Sequence, residues 1–216
     1  MCGKGGNSMI NIDKLLSYSY YDLSAPEFII SDIYKDMGNK LTFPINVEDI
    51  VSEAGFLLHE DKEIISDSVI MYYADKKRGE IAVSNRIEDN AKRRFIIARL
   101  LGSFLLQYHY KREDFFIDIY DDDQVKDSDI LWANRFAATL FAQNKVFLRA
   151  KSILHRKGYK NDELYNELAN FFDVTPDLAI LMDYEQIGYS SGVDFDSSNK
   201  KAKSSANKKL IKTLFN

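Results

Sequence analysis

Apolar residues recur at helical spacing from Ile10 to about Gly38, first in "INIDKLLSYSYYDL" and again in "APEFIISDIYKDMG". The spacing predicts two helices with a break at Ser24-Ala25-Pro26. In "FPINVEDIVSEAGFLLHE", Pro44 precedes an extended Ile45-Asn46, a short helix follows, and Gly55 ends it as a C-cap before the strand "FLLHE". The period then shortens. "SVIMYYAD" and "GEIAVSN" carry β-branched and aromatic residues around a turn at 76–79, which predicts a hairpin or meander. A long apolar helix over 88–109 comes next, then the acidic loop "DIYDDDQVKDSD", then a helix over 130–150. Finally "NDELYNELANFFDVTPDLAILMDYEQIG" reads as two short helices split at Asp173-Val174-Thr175-Pro176, with Thr175 as N-cap and Pro176 opening the second. Helices in front, a small mixed or antiparallel sheet in the middle and helices behind predict an α+β domain with a mostly helical second half.

A chain of 216 residues, 45% hydrophobic and rich in Tyr and Phe, has material for one sizeable core. Its expected extent is 9–189, with 150–189 forming a helical portion similar to a helix-turn-helix. Residues 1–8 read as a disordered leader or expression remnant, and 190–216 as a basic, flexible tail with one helical turn near "KKLIKTLF". The formal charge of −4 gives no whole-chain basis for binding nucleic acid. Cys2 is the single cysteine, so no internal disulfide forms, and no stretch of about eighteen apolar residues marks a membrane span. A reducing cytoplasm and no membrane partner fit these facts.

Four separated segments carry a resemblance. "FPINVEDIVSEAGFLLHE", "GEIAVSNRIEDNAKRRFIIARLLGSFLL", "ILWANRFAATLF" and "ELANFFDVTPDLAILMD" together resemble the ImmA/IrrE family of metallopeptidase-like proteins over roughly residues 30 to 188. Members show a helix of the form R-F-x-x-A-H-E-x-G-H, a second of the form E-x-x-A-N-x-F-A, and a later "LA-x-x-F-x-V-S" helical pair. The resemblance implies a zincin-like core. In such a site two histidines four apart bind zinc from one helix face, the intervening glutamate is the general base, and a carboxylate from the second helix completes the ligands.

This chain keeps the frame and lacks the chemistry. Arg94, Phe95, Ala98 and Gly102 match the first helix, and Ala133, Asn134, Phe136 and Ala137 match the second. Arg99 stands where the first histidine belongs, Leu100 at the glutamate, Ser103 at the second histidine and Ile130 at the third ligand. A guanidinium has no lone pair for a metal, and Leu and Ile offer no ligand atom. The resemblance therefore implies a pseudoenzyme with no catalytic residues, no metal and no cofactor. Active relatives act in bacteria and their mobile elements on helix-turn-helix repressors, so it also implies a regulatory protein partner of that kind, bound in the former substrate cleft. Arg99, placed where the metal charge would sit, is expected to pair with Asp127, Asp129 or a neighbouring acid, or else to reach water through an open cleft.

Other chemistry has less to stand on. The histidines are His59, His109 and His155, none paired at ligand spacing. An active peptidase rebuilt around His109 and the loop at 121–129 is the alternative enzyme reading, and "HEDKE" at His59 reads as a surface segment. The run Asp121-Asp122-Asp123 lacks the pattern of a calcium loop. Nucleic acid is the other alternative partner, reached either through the tail lysines Lys200, Lys201, Lys203, Lys208, Lys209 and Lys212 or through the helical pair. The second helix of that pair offers Asp177 and Asp183 where a DNA reader would carry Arg, Lys, Asn or Gln.

Overall fold

The computed structural model describes residues 12–18, 26–37, 44–64, 66–111, 115–120, 128–142 and 144–190; the side chains of 18, 109–111, 115–120, 128–131, 144 and 185–190 are not among them. In chain order the elements are α1 (Ile12–Tyr18), α2 (Pro26–Met37), α3 (Val47–Glu53), β1 (Phe56–Asp61), β2 (Ser68–Tyr73), β3 (Arg78–Ser84), α4 (Asn90–Lys111), β4 (Phe115–Tyr120), α5 (Ser128–Phe141), α6 (Asn144–Arg156), α7 (Asn161–Phe172) and α8 (Pro176–Ser190). The architecture is a mixed α+β fold with one small sheet and a mostly helical second half. The expected leader 1–8 and the tail from 191 onward lie outside the described residues, while Ser190 closes α8.

The sheet has four strands in the order β1-β3-β2-β4. β1 runs parallel to β3, with Phe56 opposite Gly79, and β2 is antiparallel to both β3 and β4. The expected hairpin is β2–β3, closed by Tyr73 opposite Arg78. Gly79 lies inside the strand and not in the turn. A Cβ there would fall 2.2 Å from the Phe56 ring, so glycine is what lets the ring lie across β3. That ring meets Phe104 of α4 edge-on at 5.4 Å, and Tyr72 meets Phe104 at 5.0 Å, which fixes α4 against the sheet.

Several local expectations hold at the level of single atoms. The Asn46 side chain accepts from the Asp49 amide at the start of α3, and Gly55 follows that helix with φ +96. Thr175 Oγ1 accepts from the Leu178 amide at 3.2 Å and starts α8. For α4 the start falls two residues later than expected: Asp89 Oδ1 accepts from the Ala91 and Lys92 amides at 2.8 and 3.1 Å, so Asp89 is the cap.

Two expectations are corrected. Residues 118–120, assigned to the acidic loop, belong to β4, where Tyr120 pairs with Ser68 and Asp118 with Ile70. "FFIDIY" is mostly apolar on both faces and too short for its period to tell strand from helix end; pairing with β2 decides it. The single helix over 130–150 is two helices, α5 and α6. On one continuous helix Phe141 and Phe147 would point about 120° apart. The break after Ala142 lets both be fully buried, with Phe147 stacked on Phe172 of α7 at 5.7 Å.

Candidate functional site

Helices α4 and α5, which carry two of the segments of the resemblance, pack directly on each other. Near the start of α4 the Arg94 guanidinium lies 5.3 Å from the Phe141 ring at the end of α5. Two turns further on, a Cβ on Gly102 would stand 2.9 Å from Phe136 Cδ1 and 3.0 Å from its Cβ. Residue numbers rise along one helix as they fall along the other, so the pair is antiparallel. Gly102 sets how closely the helices approach, because the group it avoids is the root of the Phe136 side chain and not a flexible tip.

Around that contact sit three of the positions that the resemblance singles out. Arg99 is 9% exposed, Leu100 1% and Ser103 9%. Leu100 belongs to the hydrophobic core. Ser103 Oγ accepts a hydrogen bond from Gln107 Nε2 at 3.1 Å, one turn along the same face. All three positions are largely buried.

Ile130 and Asp129 lie in the first turn of α5, with side chains outside the described residues, and Asp127 is outside them altogether. The antiparallel register sets that first turn beside the half of α4 that follows Gly102, whereas Arg99 precedes Gly102. Along the helix axes the separation from Arg99 to Asp129 is on the order of 15 Å at ~1.5 Å per residue. Arg99→Met tests whether this buried cation depends on a paired acid. The expected result is a loss of at least about 2 kcal/mol in denaturant unfolding, and unchanged stability would remove the paired-charge idea.

The remaining candidates separate cleanly. His59 in β1 and His155 near the end of α6 are exposed, and Arg93 reaches Glu60 at 2.8 Å beside His59, so "HEDKE" is a surface segment. The backbone of His109 lies in the last turn of α4, and its side chain is outside the described residues, as is the loop at 121–127. Among the described residues no group of three His, Cys, Asp or Glu is arranged to hold a metal ion. No described helix is long and apolar enough to cross a membrane.

Sequence reasoning gave no role to the residue that joins the most elements. Arg94, buried in α4, donates from Nη1 to the Asp173 carbonyl at 2.9 Å, pairs with the Asp173 carboxylate, and donates from Nη2 to the Ile45 carbonyl. Asp173 ends α7 in the left-handed region at φ 53, so Arg94 anchors the α7–α8 turn to the segment before α3. A second lock sits on α8. Asp183 is buried, and both its oxygens accept from Lys151 Nζ of α6, at 2.7 and 2.6 Å, while the Tyr165 hydroxyl of α7 donates to it at 2.7 Å. Burial and this carboxylate together push the Tyr165 phenol well above its ordinary value. Asp183 is therefore a packing residue of three helices and does not face outward as a groove-reading position would. Asn134, the amide of the second frame helix, is buried with Oδ1 lacking a hydrogen-bond partner.

The fold so far defines a mixed α+β protein with a small sheet and a closely paired helix core, α4 and α5. No protein-family model and no curated protein matches the chain.

Proposed function

We propose that the protein is a catalytically inactive relative of the ImmA/IrrE metallopeptidases, with a zincin-like core, that works by binding a protein partner. The partner class implied by the resemblance is a helix-turn-helix regulator of a bacterial mobile element. One observation carries the reading: the frame residues hold a close helix pair through Gly102 and Phe136, while the ligand positions on that pair are Arg99, Leu100 and Ser103. A hydrolytic site needs a water held by a metal beside a base, and it needs an open position for substrate. A cation, a core leucine and a serine bonded to Gln107 supply neither the metal nor the base.

Metal analysis of protein purified without chelator is the deciding measurement. Zinc well below one equivalent, with unchanged thermal stability after chelator treatment, is expected. Stoichiometric zinc that disappears in His109→Ala would overturn the reading in favour of a rebuilt enzyme site. The positive arm is co-purification from the native host, in which a repressor-like protein is the expected companion.

A further inference from the structure

Helix α6 has two faces of different chemistry. Phe147 points inward onto Phe172, Leu154 packs against the core, and Lys151 is taken up by Asp183. Opposite them, Lys145, Arg149, Ser152 and Arg156 follow one another at spacings of four, three and four residues and are all exposed. That spacing lines them up along about 16 Å of one helix face. Lys145, Arg149 and Arg156 make no ion pair among the described residues. The helix contains no acidic residue.

Beside this basic line runs an apolar one. Val146, Ala150 and Ile153 recur at the same helical spacing, each only partly covered, and Ile153 is 37% exposed. On the other flank Leu148 is 42% exposed. An apolar strip edged by like charges is the surface an amphipathic helix of opposite charge completes: its apolar residues cover the strip and its carboxylates meet the cations.

We infer that the outer face of α6 is a docking surface for an acidic amphipathic helix of a protein partner. A nucleic-acid backbone would meet the cations and leave Val146, Ile153 and Leu148 without a counterpart, since its recognition rests on phosphate contacts. The chain's net charge of −4 also opposes a long polyanion that must run past the rest of the surface, whereas a partner helix touches α6 alone. The inference does not depend on the pseudoenzyme reading, because it uses no residue of the α4–α5 pair.

The test uses the full-length protein and fluorescence anisotropy with three labelled probes. These are a synthetic helical peptide with glutamates beside a leucine strip, the same peptide with its leucines changed to serine, and a random-sequence DNA duplex. The first peptide is expected to bind, and each of Arg149→Glu and Ile153→Ser weakens it by about tenfold. The serine peptide is expected to bind at least about tenfold more weakly than the leucine one. Both substitutions lie on an exposed face, and circular dichroism checks that the fold persists; Lys145→Glu replaces any variant that fails that check. No binding of the leucine peptide at low salt overturns the inference, as does binding insensitive to the variants. DNA binding as tight as the peptide's overturns it in favour of a phosphate-binding surface. Zinc content is unaffected by any of these outcomes, so failure here and failure of the inactive-enzyme reading are distinguishable.

Discussion

Replacing Arg94 by methionine lowers the free energy of unfolding by about 3 kcal/mol. Methionine fills most of the same volume, so the change isolates the guanidinium from its stem. Two backbone carbonyls, those of Ile45 and Asp173, lose their donor, and at least the first lies in a buried contact. An orphaned buried acceptor costs about 1–3 kcal/mol, which makes the carbonyls the larger part of the loss. The carboxylate of Asp173 is 60% exposed, so its ion pair with Arg94 is screened by water and contributes little. Asp173→Asn therefore costs less than about 1 kcal/mol, all the more because asparagine tolerates the left-handed backbone at this position. Urea unfolding of both variants checks the contrast. Equal losses in the two would mean that the ion pair, and not the carbonyl contacts, holds the α7–α8 turn.

Alkaline conditions unfold the protein progressively from about pH 10. Among the described residues three phenols are displaced, all in the same direction. Burial pushes Tyr72 up to about 12, with Tyr108 and Asp13 adding to it. Burial also raises Tyr34, whose hydroxyl donates to the Leu140 carbonyl at 2.5 Å, and Tyr165, which in addition donates to Asp183. Below pH 10 folded and unfolded chains both keep these protons, and stability does not depend on them. Above it the unfolded chain releases protons that the folded chain retains, so each buried phenol withdraws up to about 1.4 kcal/mol of stability per pH unit. Tyr72 alone accounts for about 2–3 kcal/mol by pH 12, and the other two act with the same sign. A domain of ordinary stability, about 5–15 kcal/mol, loses a large share of it. Tyrosinate absorbance and circular dichroism followed together check the claim. Exposed phenols such as Tyr184 ionise first with the helices intact; a last fraction of the absorbance change that rises only together with the loss of helical signal is expected, and complete ionisation of all thirteen tyrosines before the helices are lost would show that the three buried ones reach water.

The local patterns were legible wherever one residue satisfies one rule. Thr175 caps α8 because a short polar side chain before an apolar run has an amide to satisfy, and Gly55 adopts a positive φ after α3. The hairpin of β2 and β3 was readable for the same reason. What failed were assignments that needed a distant partner. "FFIDIY" becomes β4 only because β2 offers it an edge, and the helix over 130–150 breaks because Phe147 has Phe172 to reach. Gly79 looked like a turn residue and proves to be room for a phenyl ring from another strand.

The candidate site divides along the same line. From the sequence by itself came the fact that Arg99, Leu100, Ser103 and Ile130 offer no histidine or carboxylate, a property of the side chains that does not depend on where they sit. The sequence also determined the α+β order and the helical second half, because periodicity and capping are properties of neighbours along the chain. Only the tertiary structure decided that α4 and α5 run antiparallel on Gly102 and Phe136, that Leu100 is core, and that Arg94 and Asp183 are locks between helices. It alone separated Lys151, neutralised by Asp183, from the outward line of Lys145, Arg149 and Arg156. Burial and pairing are set by groups tens of residues away, and a charge acquires its meaning from what the fold places beside it.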